Sequence, residues 1–228
     1  MNPDGDPDLQ RQYRVRIALF LALVVLAIFA LGTVYRTANT LRRLEVVEAE
    51  RDGWQRPGDV VRALDLGAGK TAVDLGCGAG YFALKLSRAV GERGLVVAID
   101  IRRLPLLFLR MRALLEGRHN LRIARGDPDD PRLAAGTADA ILIANTFHEL
   151  RDAGSILAHA LRALHPRGRL VIVDPSPFGA DEHGEPHLWP ASVEDMLRRS
   201  GFEIVARQDR FIERSDGSVW WLIIAQKP

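Results

Sequence analysis

After a short polar start the chain runs apolar without interruption. Ile17 to Val34, IALFLALVVLAIFALGTV, holds no charge over eighteen residues, with Arg14 and Arg16 before it and Arg36, Arg42 and Arg43 after it. As a helix this run would be roughly 27 Å long at 1.5 Å per residue, close to the hydrocarbon thickness of a bilayer. A helix packed on a soluble core keeps a polar face, and this one has none. A cleaved signal peptide needs a shorter apolar run followed by a small-x-small site, and the residues from Gly32 to Asn39 offer no convincing one. The pattern predicts an uncleaved single-pass transmembrane helix over 17–35, behind a polar tail of residues 1–16. Three arginines on each side leave its orientation undecided, since Asp4, Asp6 and Asp8 count for little in the positive-inside rule.

Leu41, Leu44 and Val47 then recur at helical spacing, so 36–56 reads as a charged helical connector. Pro57 and Gly67 bracket a short helix carrying Val60, Val61 and Leu64. From there short apolar runs alternate with amphipathic stretches. Strands are expected at Thr71–Leu75, Leu95–Ile99, Leu121–Ala124, Ala138–Ala144 and Arg169–Val173, and helices at Tyr81–Val90, Leu104–Leu115 and Ser155–Leu164. This is the rhythm of a parallel sheet covered by helices on both faces, an α/β domain over 57–228. Its end departs from the alternation: a helix at about Ser192–Ser200 precedes strands at Glu203–Gln208 and Val219–Ala225, which are too close for a crossover helix and must pair antiparallel. Trp220 and Trp221, adjacent in the last strand, should point to opposite faces, one inward and one outward.

Composition narrows the class. With 47% hydrophobic and 26% charged residues the chain is neither disordered nor of low complexity. The net charge of +2 arises before residue 45, where six Arg face three Asp, and the remainder holds 25 basic against 26 acidic groups. A balanced body argues against nucleic acid as the main partner. The single cysteine, Cys77, excludes an intramolecular disulfide and any zinc site built on several thiolates.

The sharpest local signal is Val73-Asp74-Leu75-Gly76-Cys77-Gly78-Ala79-Gly80-Tyr81, at the junction of the first expected strand and its helix. Alternate glycines let the backbone turn tightly and approach a ligand without Cβ obstruction. Asp74, Gly76, Gly78 and Gly80 match the first motif of class I S-adenosylmethionine-dependent methyltransferases, and the resemblance extends to the carboxyl terminus. A purely structural turn stays open, as does dinucleotide binding, because Gly78-x-Gly80-x-x-Ala83 fits a relaxed fingerprint of that kind. Asp74 before the glycines, Gly126-Asp127 after the third strand and the antiparallel closing pair favour the methyltransferase. The resemblance implies a Rossmann-like, seven-stranded, mostly parallel sheet with an antiparallel last strand, preceded here by one transmembrane helix. It also implies S-adenosyl-L-methionine as cofactor.

Further residues follow from strand ends. Asp100 closes the second strand where a carboxylate can accept both ribose hydroxyl protons, the alternative being an N-cap for the next helix. Asp127 falls where the family contacts the adenine amino group, although turn formation in Gly-Asp-Pro-Asp-Asp-Pro would also explain it. Asn145 and His148, in Ala144-Asn145-Thr146-Phe147-His148-Glu149, resemble an Asn-x-x-His segment of small-molecule methyltransferases and should sit near cofactor or substrate. His148 can take a proton from an acceptor hydroxyl or amine, or else pack over the cofactor or cap a helix. His165-Pro166-Arg167-Gly168 resembles the family's structural Lys-Pro-Gly-Gly turn before the fifth strand, which ends at Asp174. The loop 175–190 gathers Asp181, His183 and His187. Gly184 and Pro186 make a helical metal pair there a minority reading, and His187 over the site, as a second candidate catalytic group, is the expectation. Arg51-Asp52-x-Trp54-x-x-Pro57 resembles a segment that precedes the fold in bacterial methyltransferases of this size.

The function expected is a membrane-anchored methyltransferase acting on a small-molecule or lipid-like acceptor, without metal or nucleic acid. The alternative is a non-catalytic module of the same fold tethered to the membrane by 17–35, and a nicotinamide enzyme is a third reading. S-adenosylmethionine is made in the cytosol, which places the catalytic domain on the cytoplasmic side, against three outward arginines. Nothing in the sequence sets the oligomeric state.

Overall fold

The computed structural model describes residues 7–177 and 188–228. The chain divides into two compact units, Met1–Ala49 and Glu50–Pro228. Helix α1 (Pro7–Trp54) is continuous over 48 residues, so the expected anchor and connector form one rod. Its central eighteen-residue stretch has a mean hydropathy of 2.9 and no buried residue. Leu23 and Phe29 are 64% and 73% exposed.

The second unit carries α2 (Pro57–Ala63), β1 (Thr71–Leu75), α3 (Tyr81–Val90), β2 (Leu95–Asp100), α4 (Arg103–Leu115), β3 (Leu121–Arg125) and β4 (Ala138–Ala144). A one-turn 3₁₀ helix at Phe147–Glu149 leads into α5 (Ala153–Ala163), β5 (Leu164–Pro175), α6 (Pro190–Arg199), β6 (Glu203–Glu213) and β7 (Val219–Gln226). The seven strands form one sheet in the order β3-β2-β1-β4-β5-β7-β6. β7 runs antiparallel between β5 and β6, and the other pairings are parallel. The expected seven-stranded, mostly parallel sheet with an antiparallel last strand is therefore present.

Strand alternation explains the two-sided core. In β4, Ala140 and Leu142 enter one cluster with Leu86, Leu109 and Leu222, while Ile141 and Ile143 enter the other with Leu157, Leu197 and Trp221. A strand buried on both faces needs apolar residues at every position, which is why β4 and β5 lack polar alternation. Each fully buried Leu or Ile contributes about 1.5–3 kcal/mol relative to exposure.

Three sequence expectations need correction. β5 begins at Leu164, not Arg169, because the His165–Gly168 turn stays tied to the sheet: Arg167 N–H donates to Lys227 O (3.0 Å) and Lys227 N–H to Gly168 O (2.9 Å). β6 continues to Glu213, past a register shift between Gln208 and Ile212. Its charged Arg207, Asp209 and Arg210 hid a strand whose edge position tolerates and favours charge. Trp221 is fully buried as expected of one of the pair. Trp220, however, is not solvent-facing: its ring centroid lies 4.9 Å from that of Trp54, because helices cover both faces of the sheet.

Candidate active site

From β1 the chain winds outward through β2 and β3, then returns to lay β4 and β5 on the other side of β1. The carboxyl ends of β1 and β4 thus flank a topological switch point, where an open α/β sheet leaves a crevice. A crevice of about 180 Å³ lies here, lined by Gly76, Asp100, Ile101, Asp127, Thr146 and Ile156 among others.

The glycine turn shapes its floor. At Gly76 (φ +82°) and Gly80 (φ +97°) the backbone is left-handed, and a Cβ would overlap Thr146 at the first and Leu109 at the second. Glycine is required there on both counts. Gly76 and Cys77 N–H donate to Ile99 O at 2.8 and 3.0 Å, and Gly78 N–H donates to Asp100 Oδ2 at 2.9 Å. The Asp100 carboxylate also accepts Arg102 N–H on Oδ1 (2.8 Å), and it is only 4% exposed. The N-cap position of α4 is Arg102, with no side-chain cap. Asp100 is thus not the helix cap, and its carboxylate is committed to the glycine turn and the crevice wall. Cys77 lies between: burial, reinforced by the Asp74 and Asp100 carboxylates, pushes its thiol far up, which removes thiolate chemistry from this site.

Asp74 is 2% exposed. Burial pushes its pKa up to about 7, with Asp100 adding to the shift and the Ala83 N–H and Arg51 opposing it. The folded chain therefore holds a proton that the unfolded chain releases near its ordinary value of 3.8. Stability falls as pH rises between those two values and is flat above about 7. At 1.36 kcal/mol per unit the loss is about 4 kcal/mol. Urea unfolding of the ligand-free protein should show Asp74→Asn gaining on the native chain from pH 4 to 7 and the difference levelling off above about 7. Parallel pH profiles for the two would refute this account.

The remaining predicted residues divide. Asp127 lines the crevice and also performs turn duty, with its N–H on Asp130 O (2.8 Å) and its carboxylate 2.7 Å from Arg132 Nη2. Asn145 is left-handed (φ 50°), and its Oδ1 accepts the Trp220 indole N–H at 3.0 Å. The amide nitrogen consequently points away from Trp220 as a donor. Asp174 Oδ2 accepts both the His148 backbone N–H (2.9 Å) and a contact from His148 Nδ1 at 3.0 Å. Asp174 is fully buried, and its other oxygen has no partner among the described residues. His148 does not cap the next helix, a role taken by Asp152, which accepts Ser155 N–H at 2.9 Å. Asp181, His183 and His187 lie outside the described residues.

The end of α1 carries the Arg51-Asp52-x-Trp54-x-x-Pro57 stretch, together with Gln55, which sequence reasoning left unspecified. Arg51 sits 3.9 Å over the Tyr81 ring and donates to Gln55 Oε1 at 2.7 Å. Asp52 accepts the Tyr81 hydroxyl at 2.8 Å and pairs with Lys85 at 2.8 Å. Its partial burial works upward on the carboxyl, but the hydrogen bonds from Lys85 and Tyr81 outweigh it and hold the pKa below the ordinary value. Gln55 is fully buried, and its Nε2 has no partner among the described residues. Gln55 was one of the unspecified positions in the Arg-Asp-x-Trp-x-x-Pro stretch, so no type signal marked it. Its burial beside Arg51 does.

Comparison with known proteins bears on the family and the fold. A family model described as a methyltransferase domain matches residues 62–207. Demethylmenaquinone methyltransferase of Shouchella clausii is 28% identical over 127 residues, 56% of this chain and 53% of that one. The 2-phytyl-1,4-naphtoquinone methyltransferase of Thermosynechococcus vestitus is 33% identical over 111 residues, 49% of this chain and 48% of its own. The chain spans about half the length of these curated relatives. In fold it resembles a SAM dependent methyltransferase from Aquifex aeolicus, with a TM-score of 0.69 at 23% identity, covering 82% of this chain and 98% of that one. It also resembles phosphoethanolamine N-methyltransferase 2 of Haemonchus contortus in complex with S-adenosyl-L-methionine, with a TM-score of 0.66 at 15% identity, covering 77% and 53%.

Proposed function

We propose, from the premise that this chain belongs to the class I S-adenosylmethionine-dependent methyltransferase family, that it transfers a methyl group from S-adenosyl-L-methionine to a quinone-type, lipid-like acceptor while anchored by residues 17–35. The observation that carries the cofactor is Asp100: a nearly buried carboxylate, pinned by Gly78 and Arg102 N–H groups, on the wall of an apolar crevice at the switch point. A carboxylate so placed suits paired ribose hydroxyls, and Asp127 suits a purine amino group.

The residues present fit such a ligand. Around Arg51 a buried amide nitrogen of Gln55 and a buried oxygen of Asp74 lack partners among the described residues, which a zwitterionic amino-acid end would supply. When bound, S-adenosylmethionine provides an electrophilic methyl group on a sulfonium that departs as a neutral thioether. The chain's contribution is then positioning and exclusion of water, with His148 receiving the proton released by an acceptor hydroxyl and Asp174 holding the imidazole in place. His187, outside the described residues, is the second group assigned to the acceptor side.

Membrane attachment rests on α1, whose apolar stretch is long enough to cross a bilayer, and the quinone-type acceptor rests on the relatives' substrates. The catalytic unit is assigned to the cytoplasmic face, where the cofactor is made. Vesicles from cells expressing the full chain test all three parts. Inside-out, carbonate-washed vesicles should move tritium from methyl-labelled S-adenosylmethionine to a reduced naphthoquinone, and right-side-out vesicles should not. Activity confined to the carbonate supernatant would refute the anchor. Activity only in right-side-out vesicles would reverse the topology, and none in either would remove the assigned reaction.

A further inference from the structure

Helix α4 has two apolar faces where a helix on a sheet needs one. Leu106, Leu109 and Ala113 are buried against the sheet. On the far side Leu104, Leu107, Leu114 and Leu115 are 63%, 50%, 77% and 75% exposed. Steps of three and four residues place Arg103, Leu107, Arg110 and Leu114 along one exposed stripe, with Leu104 and Leu115 beside it. No acidic residue occurs between Arg103 and Leu115. Isolated exposed leucines need no explanation, but four clustered on one helix face do.

We propose that this face of α4 docks on an anionic bilayer surface, its leucines entering the headgroup boundary and Arg103 and Arg110 meeting lipid phosphates. The composition is that of an interfacial helix: apolar side chains flanked by cations with no acidic group to oppose negatively charged lipid. The location gives the contact a purpose. Ile101 and Arg102, the two residues before α4, line the crevice, and Ile101 is itself 48% exposed. The apolar stripe therefore continues from the crevice mouth, and a membrane-dissolved acceptor would reach the site along it without crossing water. The proposal rests on the reading of a membrane-attached enzyme and adds the surface by which the catalytic unit meets the lipid.

The test uses the full chain, reconstituted in vesicles of equal parts phosphatidylcholine and phosphatidylglycerol, with an environment-sensitive fluorophore on Leu107→Cys. Glu92→Cys, exposed before β2, carries the control probe, and the native Cys77 is buried. The probe at 107 should shift to the blue and be quenched by lipids bearing a nitroxide on the acyl chain, while that at 92 is not. Docking should weaken on the order of tenfold on phosphatidylcholine alone, two arginines having lost their counter-charge. Solvent-like, unquenched emission at 107 in chains that float with the vesicles overturns the docking and leaves the anchor standing. A blue shift without nitroxide quenching overturns it in favour of a second copy on this face. Quenching at 107 in chains that alkaline carbonate strips from the vesicles refutes the anchor and supports the docking. A chain that does not float at all overturns both.

Discussion

Replacing Asp100 with alanine is expected to weaken S-adenosylmethionine binding at least about 100-fold, since the loss of two charge-assisted hydrogen bonds costs roughly 3–6 kcal/mol. The carboxylate acts twice. In the proposed assignment it is the acceptor for a ribose, and in the structure it holds the glycine turn through Gly78 N–H at 2.9 Å. Alanine removes the acceptor and releases the turn together. Asparagine separates the two effects: both carboxylate oxygens face backbone N–H donors, at Gly78 and at Arg102, so an amide must turn its own N–H groups toward one of them. Asp100→Asn should therefore bind nearly as poorly as alanine despite its equal size. Titration calorimetry of the full chain with S-adenosylmethionine and S-adenosylhomocysteine measures this, with thermal unfolding as the check that the variants are folded. Affinity within about threefold of the native chain in folded Asp100→Ala would remove the ribose assignment.

Much of this site was legible because its parts lie at strand ends, and strand ends are marked by where apolar runs stop. Asp74, Gly76, Asp100 and Asn145 each sit one residue from such a boundary, Gly78 and Gly80 follow in the turn after β1, and the parallel topology carries those ends to one edge. What stayed hidden depended on contacts distant in sequence. Trp220 was read only as part of a strand, yet its indole orients Asn145, 75 residues away. Gln55 has no chemical signature until burial strips it of water. β6 was read short because charged residues mask a strand at a sheet edge, where no neighbour demands apolar side chains. The second apolar face of α4 was hidden for the opposite reason: in sequence, a helix apolar nearly all round reads as a well-buried one.

The other large effect is expected at the His148–Asp174 pair. Asp174 is fully buried, both of its described hydrogen bonds come from His148, and they converge on a single oxygen. The Nδ1 contact at 3.0 Å ties that nitrogen to Asp174 and fixes the orientation of the imidazole. His148→Ala should lower kcat for methyl transfer to a reduced naphthoquinone by about 10²–10⁴, the usual range for a lost general base. Asp174→Asn should lower it by about tenfold or more, because a neutral amide can still hold the backbone N–H of His148 but cannot stabilise the imidazolium. In both variants the affinity for S-adenosylmethionine, measured without acceptor, should stay close to native. That separation identifies proton transfer rather than structure, because a collapsed crevice would lose cofactor and turnover together. A folded His148→Ala protein with native kcat would assign His148 to packing alone and leave positioning of the acceptor as the whole of the catalysis.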